Sequence, residues 1–315
     1  MKKVLCVFLI LCICSNMCGC NGKSAYNDGK ITIVCAGFSA YDWVRVLCGD
    51  RISEIDLKML GDNGADMHSY QPSVEDIARI GNCDLFIYSG GESETWVEDA
   101  LKNAVNPNII VINMVDVIGE NAIEHDEHEG HDDHDEMEYD EHVWLSLKNA
   151  CLIVNEIEHA LEKLDSENAE YYRAKCEEYR SLLMGLDERY EEMTKNVAGN
   201  TLIFGDRFPF RYLVEDYGLD YYAAFDGCSA DTEASFEIIT TLAGKMDELN
   251  VNYIIVIEGS DKRLANTIKD STKTGNKAIL EVDSIQSVSK KKIDMGYTYI
   301  GAMENNLELL EKALR

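Results

Sequence analysis

The stretch ITIVCA, residues 31–36, is an almost unbroken run of apolar and β-branched residues, which is typical of a strand buried on both faces. Similar runs recur at 84–89 (DLFIYS) and 109–114 (IIVINM). The intervening stretches 73–81 and 95–104 have the length and pattern of helices. Strands that alternate with helices predict a mainly parallel sheet with helices on its faces.

The same alternation returns in the C-terminal part of the chain. Apolar runs predict four further strands, at 201–205 (TLIFG), 221–225 (YYAAF), 253–258 (YIIVIE) and 278–282 (AILEV). Because two sets of strands and helices flank a middle segment, we predict an α/β fold with two lobes, each with a mainly parallel sheet flanked by helices. The N-terminal lobe is predicted over 31–165 and the C-terminal lobe over 199–315.

The middle segment is predicted to be a linking helix over 166–198. That segment has no proline and one glycine, Gly185, while apolar residues repeat at helical spacing at Leu182, Leu183, Leu186 and Tyr190. About 30 residues at 1.5 Å each give a helix about 45 Å long. Such a helix would join the two lobes as a rigid spacer.

The N-terminus has the organisation of an export signal. Two lysines precede an apolar run over 4–13, which is too short to cross a bilayer comfortably. The sequence MCGC, which ends at Cys20, resembles the lipidation segment of a bacterial lipoprotein. We therefore predict a signal peptide over 1–19, a lipid on Cys20, a tether over 20–30, and a protein anchored to the outer face of the cell membrane. The alternative is an ordinary cleaved signal peptide.

Charge narrows the class of partner. The chain has 29 basic and 58 acidic residues, a net charge of −29. So acidic a surface argues against nucleic-acid binding, which needs basic patches, and favours the attraction of cations.

A histidine-rich acidic segment lies in the middle of the N-terminal lobe. Its repeat is spaced every three residues at His125, His128, His131 and His134. Low hydrophobicity with one sign of charge predicts a disordered loop over 124–139. One hypothesis is an auxiliary loop that gathers metal ions and hands them to a folded site. The alternative is a solvated acidic insertion with incidental metal affinity.

Two histidines stand outside this repeat, near the ends of predicted elements. His68 lies in GADMHSYQPSVED, after a strand and before a helix, and His142 lies in DEHVWLSLKNA, at the start of another helix. Sheet and helix ends are where α/β folds place ligand sites. Both are therefore candidates for a ligand site, and His142 is out of register with the repeat. The alternative for each is an ordinary surface or core histidine.

Several segments, taken in order, resemble those of one family. They are HSYQP with the later Asp76, GESETW at 91–96, DEHVWLS at 140–146, and the YL and YGL segments at 212–213 and 217–219. This pattern resembles the zinc- or manganese-binding solute-binding lipoproteins of ABC transporters, the ZnuA-like and adhesin-lipoprotein family. In DEHVWLS, Glu141 stands where the family has proline. The resemblance covers nearly the whole mature chain.

The resemblance implies a metal ion held between the lobes by two ligands from each. The implied ligands are His68, His142, Asp206 and Asp283, with Glu258 as the alternative to Asp283. Two neutral imidazoles and two carboxylates form a neutral complex with a divalent ion. Zinc accepts four such nitrogen and oxygen ligands. Manganese and iron(II), which prefer more oxygen ligands, are the alternative metals.

The resemblance also implies a function. We expect a monomeric, high-affinity extracytoplasmic protein that captures Zn²⁺ and delivers it to an ABC permease and its ATPase, without catalysing a reaction. A Mn²⁺ or Fe²⁺ receptor of the same fold is the first alternative. A zinc-dependent hydrolase, with an open water position on the metal, and a surface adhesin are the others.

Overall fold

The structure, a computed structural model, describes residues 29–124, 139–225 and 234–315. Residues 31–315 of the chain form one compact unit. The predicted signal peptide, Cys20 and the four repeat histidines lie outside the described residues. Within the described ranges, every helix is too short or too polar to cross a membrane.

The first sheet has four parallel strands in the spatial order β2-β1-β3-β4. They are β1 (Ile31–Cys35), β2 (Ile55–Met59), β3 (Leu85–Tyr88) and β4 (Ile110–Asn113). Successive residues of its central strands, such as Ile33 and Val34, pack into apolar clusters on opposite faces. That two-faced burial explains the near-continuous apolar runs in the sequence.

Five helices accompany this sheet. They are α1 (Phe38–Cys48), α2 (Val74–Ile80), α3 (Trp96–Lys102), α4 (Met114–Ile118) and α5 (Leu147–Leu164). Short 3₁₀ segments lie at Gly49–Glu54, Met67–Ser69, Glu92–Glu94, Gly119–Asn121 and Val143–Leu145. The start of α2 is fixed by a capping box, in which Ser73 and Asp76 each accept the other's backbone N–H.

The second sheet repeats the plan, with parallel strands in the order β6-β5-β7-β8. The strands are β5 (Thr201–Phe204), β6 (Asp220–Ala223), β7 (Tyr253–Ile257) and β8 (Ala278–Val282). Helices α7 (Arg211–Asp216), α8 (Phe236–Glu248), α9 (Arg263–Ser271), α10 (Lys290–Asp294) and α11 (Tyr299–Leu314) belong to this half. The predicted fold, two parallel-sheet lobes flanked by helices, is confirmed.

A long helix, α6 (Ala169–Asn196), lies between the two halves in the chain, after a 3₁₀ turn at Ser166–Asn168. Its 28 residues correspond to about 42 Å. Its buried residues recur at intervals of three and four: Tyr172, Cys176, Tyr179, Leu183, Leu186, Tyr190 and Met193. That stripe packs into the main core, so tertiary contacts stabilise the helix along its length.

The main apolar core is shared by the two lobes. It contains the inner faces of both sheets together with α6 and α11. At its centre the Trp43 ring of α1 packs edge-on against Tyr299 of α11, with 5.0 Å between ring centroids. The Asp42 carboxylate accepts the backbone N–H of Tyr299 at 2.8 Å. A large apolar interface of this kind limits the relative movement of two lobes.

Candidate metal centre

His68 and His142 come together, although they are 74 residues apart in the chain. His68 lies in the 3₁₀ turn Met67–Ser69, where the Asp66 side chain caps the turn by accepting the N–H of His68 at 3.0 Å. His142 is the residue before the 3₁₀ turn Val143–Leu145 and is 1% exposed. The two Nε2 atoms are 3.1 Å apart.

Each of the two rings is held through its other nitrogen. Asp140 Oδ1 lies 2.8 Å from His142 Nδ1 and also accepts the backbone N–H of His142. His68 Nδ1 lies 2.6 Å from Ser93 Oγ and 3.0 Å from Glu141 Oε1. A carboxylate at Nδ1 stabilises the tautomer that leaves the Nε2 lone pair free, which is the usual arrangement of metal-binding histidines.

Glu141 completes a compact donor group with the two histidines. One ligand atom from each of His68, Glu141 and His142 can be chosen so that all three lie within 4.8 Å of one another. Ser93 donates its hydroxyl to Glu141 Oε1 at 2.6 Å and its N–H to Oε2 at 3.3 Å. Burial raises the pKa of Glu141, but the bond to His68 and the nearby His142 outweigh burial and leave the pKa below its usual value. Glu141 is therefore a buried carboxylate beside the two rings.

The geometry of this group fits a divalent ion. Zn–N bonds of 2.0–2.1 Å at a tetrahedral angle place two ligand nitrogens about 3.4 Å apart. The observed Nε2 separation of 3.1 Å is close to that value. Imidazole nitrogens and a carboxylate oxygen are also among the donors that zinc accepts. The site can therefore take zinc with little rearrangement of the two rings.

A glycine makes room for Glu141. A Cβ atom on Gly91 would overlap the Glu141 side chain, at both its Cβ and its Oε2. Any other residue at position 91 would displace the carboxylate that contacts His68. This close approach explains why the GESETW segment begins with glycine.

The C-terminal lobe borders a cleft of about 530 Å³, and Asp66, two residues before His68, lies on the opposite wall. Asp206 and Glu258 line the cleft, together with Asp66 and Arg207. Asp206 Oδ1 accepts the N–H of Arg207 at 2.9 Å, whereas its Oδ2 is buried without a hydrogen-bond partner. The Arg207 guanidinium reaches the Asp66 carboxylate at 2.6 Å, beside the turn that carries His68. Asp206 therefore lines the cleft with one carboxylate oxygen that has no hydrogen-bond partner.

Asp283 is occupied by groups of its own lobe. The Tyr297 hydroxyl donates to Oδ2 at 2.7 Å, the N–H of Ile285 donates to Oδ1 at 2.8 Å, and Lys292 Nζ lies 3.9 Å from Oδ2. Any metal bond from Asp283 would have to compete with these donors.

Glu258 is similarly occupied. Its carboxylate accepts both the N–H and the hydroxyl of Ser284 at 2.7 Å, and the N–H of Gln286 at 3.2 Å. Burial and the nearby charge of Asp283 raise the pKa of Glu258, and the Ser284 bonds partly offset them.

The structure therefore brings together two of the residues predicted from sequence, His68 and His142. Within the described ranges, Asp206, Asp283 and Glu258 are not part of the group that His68, Glu141 and His142 form. Their assignment as ligands stays a prediction. Glu141 was missed, because the sequence pattern identified it only as a substitute for proline. A carboxylate directly before a ligand histidine is the signal that could have found it.

Comparison with known families identifies the family of the chain. The family model ZnuA, described as "Zinc-uptake complex component A periplasmic", matches residues 33–313. The chain belongs to this family.

Curated relatives of this ZnuA-family chain include two zinc proteins. The high-affinity zinc uptake system protein ZnuA of Bacillus subtilis is 31% identical over 310 residues, covering 98% of this chain and 94% of the relative. The zinc-binding protein AdcA of Streptococcus pyogenes is 27% identical over 321 residues. That match covers 98% of this chain but 61% of AdcA, so the chain spans about three fifths of the AdcA length.

Solved structures give the same fold. The Zn(II)-bound ZnuA-like domain of Streptococcus pneumoniae AdcA matches with a TM-score of 0.71 and 26% identity, over 91% of this chain and 99% of that one. The metal-dependent lipoprotein YcdH of Bacillus subtilis matches with a TM-score of 0.74 and 29% identity, over 90% and 99%.

Glu94, which lies in the GESETW segment with Gly91 and Ser93, has a buried carboxyl group. Its Oε2 accepts the N–H groups of Ser89 and Gly90 at 2.7 and 3.0 Å. Burial, with the nearby charge of Glu141, raises its pKa from 4.5 to about 7, against the lowering effect of these N–H groups. The native state therefore binds a proton more tightly than the unfolded chain does. The metal-free protein should lose stability as the pH rises from 4.5 to 7.

Replacing Glu94 by Gln is expected to flatten this pH dependence. In the wild type, the rise in pH should lower the free energy of unfolding by about 3 kcal/mol through Glu94, since one pKa unit corresponds to 1.36 kcal/mol. The substitution should remove this contribution. Urea unfolding at pH 5 and pH 8, with EDTA present, measures the difference. Glu92→Gln, which changes an exposed carboxylate two residues earlier, is the matched control. Equal pH slopes for wild type and Glu94→Gln would contradict the prediction.

Proposed function

We propose that this protein is the extracytoplasmic zinc-binding component of an ABC uptake system. The observation that carries the proposal is the approach of His68 Nε2 and His142 Nε2 to 3.1 Å, with each Nδ1 held by a carboxylate. Two imidazole nitrogens that converge at this distance can both bind one cation placed between them. The zinc-uptake description of the family supports zinc as that cation.

The proposed ligands are the two Nε2 atoms and two carboxylates of the C-terminal lobe. Asp206 is the favoured donor from the C-terminal lobe, because its Oδ2 is buried and has no partner. Asp283, with Glu258 as its alternative, would have to give up existing hydrogen bonds to become the fourth ligand. Glu141 is proposed to orient His68, because its Oε1 lies 3.0 Å from His68 Nδ1. A carboxylate that orients a ligand also raises the basicity of that ligand.

Capture and delivery follow from this arrangement. Zinc bound between the lobes would be carried to a permease and its ATPase at the membrane. The lipid on Cys20 would hold the protein, as a monomer, at the outer face of the cell membrane. The MCGC segment supports the anchor, and the family description supports a zinc-uptake complex. The proposal involves binding and release, and no chemical step.

Metal titration of the mature protein tests the proposal. We expect one tight zinc site and weaker binding of Mn²⁺, since imidazole-containing N and O sites bind Zn²⁺ more tightly in the usual divalent series. Fe²⁺ should also bind more weakly for the same reason. Tight binding of Mn²⁺ with weak binding of Zn²⁺ would favour the manganese receptor.

The histidine repeat is tested in the same titration. Changing His125, His128, His131 and His134 together to alanine should leave the tight site unchanged and remove any weaker sites. Calorimetry at constant pH measures both classes of site. A zinc stoichiometry above one that is unchanged in this variant would count against the metal-gathering loop.

A further inference from the structure

The Tyr212 hydroxyl is inserted into a backbone pair of the other lobe. Tyr212 lies on α7 of the C-terminal lobe and is buried. Ile123 and Asp140 form one direct bond, from the N–H of Asp140 to the carbonyl of Ile123 at 2.9 Å. In place of the second direct bond, the Tyr212 hydroxyl accepts the N–H of Ile123 at 3.2 Å and donates to the carbonyl of Asp140 at 2.8 Å. One hydroxyl thereby satisfies the buried carbonyl of Asp140 and the half-buried N–H of Ile123.

Asp140 connects this hydroxyl to the metal centre. It is fully buried, and its Oδ1 contacts both the N–H and the Nδ1 of His142. Whatever sets the backbone position of Asp140 also sets where its carboxylate meets the His142 ring. Tyr212, Asp140 and His142 therefore form one chain of direct contacts.

The C-terminal lobe also holds the far side of the His142 segment. Trp144 Nε1 donates to the carbonyl of Ser284 at 2.9 Å, and the carbonyl of Trp144 accepts the Tyr299 hydroxyl at 2.5 Å. Tyr212 on one side and these two bonds on the other attach residues 140–144 to the C-terminal lobe. The turn that carries His68 follows β2 of the first sheet and is also tied to the C-terminal lobe, through the contact of Asp66 with Arg207.

We propose that Tyr212 is a positioning residue of the zinc site, which fixes the His142 ring through Asp140 and so lets the C-terminal lobe set the zinc affinity. This inference rests on the proposed function and goes beyond the ligand set. Its physical basis is the cost of leaving a buried carbonyl and a half-buried N–H without a partner. The backbone at Asp140 would shift to relieve that cost, and the His142 ring would shift with it.

The test compares Tyr212→Phe with a matched control, Tyr190→Phe. Tyr190 is also buried, and its hydroxyl donates to one backbone carbonyl, that of Met303, at 2.7 Å. Tyr212→Phe should weaken zinc binding about tenfold, the lower end of the loss that follows removal of an outer partner of a metal ligand. Tyr190→Phe should keep the wild-type zinc affinity, even where it lowers stability.

Two readouts separate positioning from general destabilisation. The visible spectrum of bound Co²⁺ reports ligand geometry, so it should change in Tyr212→Phe and not in Tyr190→Phe. A double-mutant cycle with Asp140→Asn tests the route: if Tyr212 acts through Asp140, adding Tyr212→Phe to Asp140→Asn should cause little further loss.

The outcomes are distinct. Wild-type zinc affinity in Tyr212→Phe, an equal loss in Tyr190→Phe, or fully additive losses in the double mutant would each overturn the positioning role. A wild-type protein that binds zinc while Tyr212→Phe behaves normally leaves the proposed function intact. A wild-type protein that binds no zinc overturns the proposed function itself.

Discussion

His142→Ala is expected to abolish the stabilisation of this protein by zinc. At a zinc concentration about 1,000 times the dissociation constant, binding should raise the wild-type free energy of unfolding by about 4 kcal/mol. The variant lacks one of the two convergent Nε2 atoms and leaves Asp140 without the ring that it orients. At the same zinc concentration its unfolding free energy should change by less than about 1 kcal/mol. Denaturant unfolding with zinc and with EDTA measures the difference.

His159→Ala is the matched control for this experiment. His159 lies on α5, its side chain is 52% exposed, and its neighbours are Glu156 and Glu158. An exposed histidine next to two carboxylates can bind zinc weakly, so the control separates general zinc affinity from binding at the centre. The His159 variant should gain as much stability from zinc as the wild type does. A His142 variant that retained the full zinc effect would show that zinc binds elsewhere.

Trp43→Ala is expected to cost 3–5 kcal/mol of stability, which is roughly the range for truncation of a buried aromatic residue. The Trp43 side chain is fully buried and packs against Tyr299, where the two lobes meet in the core. Since the core is shared, the unfolding transition should remain single and shift as a whole. Urea unfolding followed by circular dichroism measures the loss.

Phe236→Ala provides the comparison for Trp43→Ala. Phe236 begins α8 and is 80% exposed, so its truncation should change stability by less than about 0.5 kcal/mol. A loss below about 1 kcal/mol for Trp43→Ala would mean that the interlobe core is poorly packed. Two separate transitions would mean that the lobes unfold independently.

The sequence predicted the fold well because strand burial leaves a strong pattern. The run at 31–36 corresponds to β1 at Ile31–Cys35, and the run at 84–89 corresponds to β3 at Leu85–Tyr88. Element ends were less accurate: the strand predicted at 221–225 is observed at Asp220–Ala223. Apolar composition reports burial, whereas the last hydrogen bond of a strand depends on its neighbours.

The metal centre was only partly accessible to sequence reasoning. His68 and His142 could be singled out because each follows or precedes a recognisable element. The role of Glu141 depends on the close approach of Gly91, a contact between segments about 50 residues apart in the chain. The bridging hydroxyl of Tyr212 depends on how the second lobe docks on the first. Both contacts arise from tertiary packing between distant segments, which a local sequence pattern does not specify.

The continuous core has a practical consequence for anyone who would turn this protein into a fluorescent zinc sensor. Dyes placed on the two lobes would report little, since both lobes are built on the same packed interior and their separation should barely change on binding. A reporter beside His142 has better prospects. The buried Trp144 ring lies 5.3 Å from the His142 ring. Trp144 is held by two hydrogen bonds, one from its indole nitrogen and one to its backbone carbonyl. The fluorescence of Trp144 should change when the neighbouring His142 ring binds a metal ion. The useful signal of this protein is therefore a change in tryptophan emission near the site and not a change in the distance between the lobes.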